Sequence, residues 1–419
     1  MKDYRWTWRL LITLFFFFLA QIAFSQSMSS PYSIYGIGDI DHRTYNSNSG
    51  LGYTGLALKT TIFSSGNNPA SVSGLQKSFY SFDLAGMGRF ASFSGTPINS
   101  GNSSSKEFVV KRFSFSTKVN SFWGTSVGFQ QFSNVSYKFQ GTKEVEGSLQ
   151  TYQIDYSGDG GLNNYYWNNG FNIGKHFALG VTTSVIAGPI NQTETITQGN
   201  TDSLQAARRD YFANVKLDYG FIYSIPLNKK WEAAIAGRFS NRTQMNSERS
   251  LTVTDNSTVI NAEKFIRYNN FSLPVSYGAG LSLVGKNGMT FVADYTYEDW
   301  SKLNIGGTNW KLTSSNRLSA GAEFANYTNS FNKISLKKAF QFGAFYDNSY
   351  LFLENHHINE YGFTAGITRS FRNGLMYGLS LEAGSRGTTQ SGLIKENYFQ
   401  ATFSFSFKDV FHSRGRRYD

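Results

Sequence analysis

Residues 124–128, GTSVG, have the spacing G-x-S-x-G, which serves a nucleophilic serine on a sharp strand-to-helix turn with a histidine and a carboxylate beside it. Ser126 lies inside a stretch of alternating residues, and the order of segments sets none of the five histidines (His42, His176, His356, His357 and His412) beside it. No triad is expected, no catalytic residue is assigned, and the chain is not read as an enzyme. Residues 50–55, GLGYTG, satisfy G-x-G-x-x-G, but dinucleotide binding needs that turn between the strand and helix of a βαβ unit. No such unit surrounds it, and its glycines are expected to let the backbone turn tightly. His356 and His357 stand together in LENHHINE with Glu354 and Glu360 nearby. Adjacent side chains on an extended chain diverge, so a solvated loop is expected there and not a metal site. The chain has no Cys, which removes thiolate ligands, disulfides and cysteine nucleophiles together. No cofactor is implied.

Function must then lie in the elements that would have carried such residues. In ENYFQATFSFSF, residues 396–407, Phe399, Ala401, Phe403, Phe405 and Phe407 share one face, while Gln400, Thr402, Ser404 and Ser406 share the other. A period of two is a strand signal. The chain is 17% aromatic, with 38 Phe and 25 Tyr against a charged fraction of only 16%, and aromatic residues favour strands. From Lys77 onward the theme repeats as about fourteen alternating segments, among them 77–91, 107–119, 121–139, 148–175, 231–245, 265–285 and 396–408. Tight breaks near VNS, GKH, PLNKK, GKNG and RNG alternate with long polar ones at 92–106, 191–207 and 246–264, and only NYTNSFNK, near 326–333, is long where a tight turn is due. An even number of strands with short turns at one end and long loops at the other is expected of a closed outer-membrane barrel. Lipid is therefore the expected solvent of the aromatic face. Trp123 and Trp231 are placed at the periplasmic rim and Trp300 at the outer rim, where indoles favour the interface.

The start of the chain fits export. Lys2, Arg5 and Arg9 precede the apolar run LLITLFFFFLAQIAF, and Ala23 and Ser25 are small residues placed for cleavage before Gln26. An apolar core of about fifteen residues is too short to span a bilayer, so residues 1–25 read as a cleaved signal peptide. The net charge of +11 is scattered. Without a basic cluster interleaved with aromatics, nucleic acid is not expected as a partner, whereas outer-membrane lipid and lipopolysaccharide are.

Fourteen strands enclose a lumen too wide for wall side chains to fill. The candidate filler is the segment 26–76, much of which reads SPYSIYGIGDIDHRTYNSNSGLGYTGLALKTTIFSSGNNPASVSGL. It resembles the N-terminal hatch of the long-chain fatty acid transporter (FadL-type) family of outer membranes, in which a Gly-rich stretch leads to Asn-Pro-Ala before the first strand. Asn68, Pro69 and Ala70, preceded by Asn67, match that motif, with Ser71 where the family usually has Gly. The likeness extends through SLPVSYGAGLSL, FVADYTYEDWSKL and RLSAGAEF, and is closest to the divergent branch found in Bacteroidota.

The resemblance implies an all-β fold: a transmembrane antiparallel β-barrel of about 14 strands over 77–408, with an N-terminal hatch in the lumen and a basic periplasmic tail at 409–419. It also implies passive uptake of hydrophobic small molecules, fatty-acid-like or aromatic, toward a lateral opening, with hatch movement around Asn68, Pro69 and Ala70. Within 148–175, SGDGG interrupts the alternation, and consecutive glycines weaken pairing. Gly158, Gly160 and Gly161 are the expected kink that leaves the wall open. The alternative function is a structural or interaction barrel, a partner in protein export or surface attachment, as relatives in that branch can be.

Overall fold

Alternation becomes a two-faced wall. Phe399, Phe405 and Phe407 are 40–50% exposed on the outside, whereas Gln400, Thr402, Ser404 and Ser406 are no more than 4% exposed on the inside. The computed structural model describes residues 30–410, apart from 60–62, 64, 78, 97, 99–102, 145–150, 199–201, 257, 268–270, 331–332 and 372–373. The signal peptide expected at 1–25, His412 and nearly all of the expected basic tail lie outside the described residues.

The wall strands run in chain order. They begin with β1 (Phe79–Gly95), β2 (Ser104–Lys118), β3 (Trp123–Gln131 and Ser133–Glu144), β4 (Thr151–Gly160 and Asn163–Ile173), β5 (Phe177–Gln198) and β6 (Asp202–Pro226). Next come β7 (Trp231–Ser240 and Asn246–Asp255), β8 (Thr258–Arg267 and Ser276–Gly285), β9 (Met289–Glu298) and β10 (Ser315–Ser330). The last are β11 (Lys333–Leu353), β12 (His356–Ser370), β13 (Leu375–Gly387) and β14 (Ile394–Val410). Each pairs antiparallel with its neighbours, and β14 returns to β1 with Phe403 opposite Gly86 and Phe407 opposite Phe82. This is a closed 14-strand barrel, the arrangement that leaves no free edge facing hydrocarbon wherever the ladder is continuous.

The outward apolar band recurs from strand to strand, for example at Phe113, Val127, Phe221, Leu281, Phe342 and Phe363. Such a band on a closed barrel crosses an outer membrane. Phe403 lies mid-band, 40% exposed between Leu379 and Gly86. Phe403→Arg should lower the unfolding free energy in phospholipid vesicles by about 2–4 kcal/mol, whereas a polar change on the inward side, Thr402→Ser, should cost much less. Urea titrations followed by tryptophan fluorescence measure both.

Three expectations change on contact with the structure. The long outer connections at 191–207 and 246–264 are largely hairpin, since β5 and β6 stay paired from Phe177–Tyr223 out to Gln198–Asp202. Beyond the hydrocarbon both faces of a ribbon meet polar surroundings, so pairing persists without an apolar alternation to announce it. The stretch 326–333 is likewise ladder, ending at the Ser330–Lys333 pair, and not a long loop. Trp300 is not an interfacial indole: it is 1% exposed, packs on Tyr350 at 4.9 Å, and donates from Nε1 to Glu298 Oε2 at 2.8 Å.

Inside the wall, the described residues of 30–76 lie against the inward faces of strands on both sides of the ring. Toward the end away from the tight turns they join an apolar cluster that includes Ile37, Val135, Leu162, Ile190, Phe271 and Tyr350. Toward the other end two smaller apolar clusters, one around Leu56, Ala70 and Ile222 and one around Phe63, Leu336 and Met376, sit among polar inward side chains.

Candidate functional site

Asn68 caps a short 3-10 helix, Pro69–Gly74, accepting the Ala70 N–H at 3.0 Å on its Oδ1. Its amide donates to the carbonyls of Leu56 (3.0 Å), Phe221 (3.1 Å) and Gly237 (3.3 Å). Pro suits the first helical position because it has no N–H to satisfy there. Asn67 Nδ2 donates to Tyr53 O at 2.8 Å, and Ser71, in place of the expected Gly, meets Ser65 Oγ at 2.8 Å. Asn68, Ala70 and Ser71 are 0% exposed. The sequence reading gave Asn68, Pro69 and Ala70 to a moving part of a hatch. In this structure their hydrogen bonds reach both the segment itself and the wall.

The wall is shaped to receive this helix. Gly124, Gly170, Gly180 and Gly220 are cross-strand partners on β3, β4, β5 and β6. A Cβ at Gly180 would lie 2.2 Å from the Pro69 carbonyl carbon, and one at Gly124 2.1 Å from Val72 O. Four bare positions in a row thus form a track on which the helix backbone rests at Gly124, Gly170 and Gly180 and the Asn68 side chain at Gly220. GLGYTG is seated the same way on the opposite wall. Gly52 has φ +68°, and a Cβ at Gly343 would lie 2.2 Å from Gly52 N. Thr364 Oγ1 accepts from Gly52 N at 2.9 Å and donates to Gly50 O at 2.8 Å. Asp294 Oδ2 accepts from Gly55 N (2.6 Å) and Leu56 N (2.9 Å).

Between these two seats, ion pairs tie the segment to the wall. Arg43 contacts Glu360 and Glu382 and donates to Tyr398 OH at 2.9 Å; its pair with Glu382 is 2.8 Å long. Arg386 meets Asp39 at 2.7 Å, and Lys111 meets Asp41 at 3.1 Å. Burial by itself would raise the Asp41 carboxyl, but Lys111 and Arg43 beside it more than offset that and hold it below the usual carboxylate range. These partners were missed in the sequence. Their signal was charge at inward parity, as in Glu382, Arg386 and Glu396, because ionisable side chains facing a barrel interior need partners. Glu360, first weighed beside the two histidines, turns inward to Arg43. His356 Nδ1 approaches Glu354 O at 2.7 Å, and His357 packs edge-on against Phe352.

A cavity of about 170 Å³ lies between the segment and the wall, lined in part by Arg43, Lys216, Asp218, Arg238, Asp294 and Arg317. An apolar cavity of about 150 Å³ can hold benzene. This one has the size without the lining, and an apolar guest would leave charged groups without polar partners.

Among the described residues the wall's ladder is interrupted between β2 and β3. β2 pairs with β3 only from Arg112–Gln130 to Lys118–Gly124. Lys111 is the extra residue of a bulge opposite Ala85 and Gly86, which turns both Lys111 and Arg112 inward. Past Phe132, β3 turns its odd-numbered residues inward, so Val135 and Tyr137 are buried where Val127 was exposed. Among the described residues no strand pairs with Glu107–Lys111 on the side away from β1. The seam is bridged by side chains: Lys111 Nζ to Gln131 Oε1 at 2.7 Å and Asn134 Nδ2 to Glu107 Oε1 at 3.2 Å. From inside, Asp39–Ile40 pairs with Asn134 and Ser133 on the β3 edge, and Asp41 N donates to Phe132 O at 3.0 Å.

Gly160 and Gly161, expected at the opening, have φ +109° and +132° and do bend β4. Residues 153–160 of β4 are nevertheless paired on both sides, with β3 and β5. A Cβ at Gly161 would lie 2.3 Å from Ser133 O, and one at Gly158 2.3 Å from the Tyr137 ring. These glycines let β4 follow the bend of β3, and the unpaired edge lies one strand earlier than expected. Ser126 Oγ meets Ser116 Oγ at 3.0 Å. Among the described residues no group of three His, Asp or Glu side chains is placed to hold a metal.

The fold is that of solved outer-membrane channels. The toluene transporter TodX of P. putida matches with a TM-score of 0.60 at 13% identity, covering 89% of this chain and 100% of that one. The Ralstonia pickettii toluene transporter TbuX matches with a TM-score of 0.58 at 13% identity, over 88% and 99%. A Pseudomonas aeruginosa FadL homologue matches with a TM-score of 0.57 at 12% identity, over 90% and 100%. At these identities the likeness bears out the FadL-type resemblance as fold. Comparison with curated proteins finds no match. The family described as BamG matches residues 8–419, nearly the whole sequence, and the chain therefore belongs to the BamG family.

Proposed function

We propose that this barrel lets a hydrophobic small molecule, fatty-acid-like or aromatic, pass from the exterior through the seam between β2 and β3 into the outer leaflet, with no coupled energy source. The observation that carries the reading is the interrupted ladder at Glu107–Lys111, a break in the wall of a barrel whose fold is shared with channels for such compounds. The charged cavity is a poor site for an apolar guest, so the route runs through the apolar outer half beside Val135, Tyr137 and Leu162. The part of the hatch that yields is the stretch around Asp39–Ile40 on the β3 edge, with Asn68, Pro69 and Ala70 held on their track.

The absence of native cysteine makes the test direct. Glu107→Cys with Asn134→Cys, joined by a short bis-maleimide, should reduce uptake of a labelled fatty acid or toluene into proteoliposomes to that of protein-free vesicles. The unbridged double variant should keep uptake. Equal uptake in both would end the seam route.

A second reading is favoured by the charged lining and the ion-paired segment: a barrel that conducts nothing and serves as a partner for other outer-membrane proteins. It expects background uptake by the wild type together with partners that co-purify from membranes and are lost when residues 30–76 are deleted.

A further inference from the structure

The same seam presents backbone that a small molecule cannot satisfy. Phe108 and Val110 point outward, 45% and 51% exposed. They pair with Gly88 and Gly86, whose other partners, Ala401 and Phe403, lie mid-band. The edge Glu107–Lys111 therefore sits at hydrocarbon depth. Half of its N–H and C=O groups turn away from β1, and among the described residues no strand lies opposite them. In hydrocarbon each such group left unmade costs several kcal/mol, and acyl chains offer no donor or acceptor.

We propose that Glu107–Lys111 is a docking edge for an extended segment of a second membrane protein, which adds to the wall as an antiparallel or parallel strand. Two features define that partner. Neighbouring Phe108 and Val110 face lipid while Val109 and Lys111 face the interior, so the added strand must be apolar at alternate positions and polar between. The facing edge already accepts an extended chain, since Asp39–Ile40 forms a ladder with Ser133–Asn134. The bridges from Glu107 and Lys111 across the seam are side-chain bonds that can open without unzipping any ladder. Backbone addition supplies affinity and the alternate side chains supply selection. An added strand would fill the seam through which uptake is proposed, so in one molecule docking and passage by that route exclude each other.

The test is hydrogen exchange of the full chain in lipid nanodiscs, with a lysine-tailed peptide of alternating Val and Thr as probe. Protection follows 1 + [L]/Kd, so at about nine times Kd exchange in 107–111 should slow about tenfold. Residues 361–367, on a fully paired strand, should not change. A peptide of the same composition with Val and Thr in separate blocks should do nothing, and the bis-maleimide bridge between cysteines at 107 and 134 should abolish the effect. Three results would overturn the proposal: no slowing, equal slowing by the block peptide, or slowing that survives the bridge. Slowing set by protein concentration without peptide would also overturn it, by assigning the edge to a second copy of this chain.

Discussion

Arg43→Met should destabilise the folded barrel by about 3–5 kcal/mol, the usual result of removing one side of a buried ion pair and leaving the other charge behind. Two carboxylates lose their shared partner, because Arg43 contacts both Glu360 and Glu382, and Glu382 is 2% exposed. Tyr53 OH also donates to Glu382, at 2.6 Å, so the disturbance reaches the GLGYTG seat. The triple change Arg43→Met, Glu360→Gln and Glu382→Gln should recover most of the loss, since no uncompensated charge remains. Urea unfolding in vesicles measures both variants. A loss below about 1 kcal/mol for Arg43→Met would mean that the pairs behave as solvated ones.

Gly180→Val should unseat the Asn-Pro-Ala helix. Its Cβ would fall 2.2 Å from the Pro69 carbonyl carbon and 2.3 Å from Ala70 N, both backbone atoms that no rotamer change can move. Overpacking of this kind costs about 1–3 kcal/mol or more, and the helix can avoid it only by leaving the track. The readout is Ala70→Cys, whose parent residue is 0% exposed. A membrane-permeant maleimide should leave it unmodified on the wild-type background and label it when Gly180 is Val. A thiol that stays protected would show the track tolerating a side chain. Gly174→Val provides the contrast, since no atom lies within 4 Å of its Cβ position, although its φ of +72° adds local strain.

The wall was legible in the sequence because one parity governs each strand. Phe399 through Phe407 declare lipid on one side, and Val215, Tyr219 and Phe221 do the same. The seam was only half legible. Phe108 and Val110 point outward, and then Phe113 does, so the alternation slips by one between Val110 and Phe113. That slip is the Lys111 bulge, and it could have been read. The turn at Phe132 could not, because odd-numbered apolar residues continue from Val127 to Val135 and Tyr137 while their face changes from lipid to interior. Gly158, Gly160 and Gly161 drew attention because glycine marks a bend in one chain, whereas an opening is a property of two. Asn68, Pro69 and Ala70 were found by resemblance. Their seat depends on glycines far along the chain, on strands whose pairing places them in a row.

The two tracks also constrain the order in which this molecule can assemble. The segment 30–76 is synthesised before every wall strand, yet its seats lie on β3–β6 and on β10–β12, and it leads directly into β1, whose partner β14 is the last strand made. Contacts so distant in sequence make for slow folding. A segment still outside when Phe79 meets Val410 would be locked out, so closure of the ring must wait for its cargo of residues to be aboard.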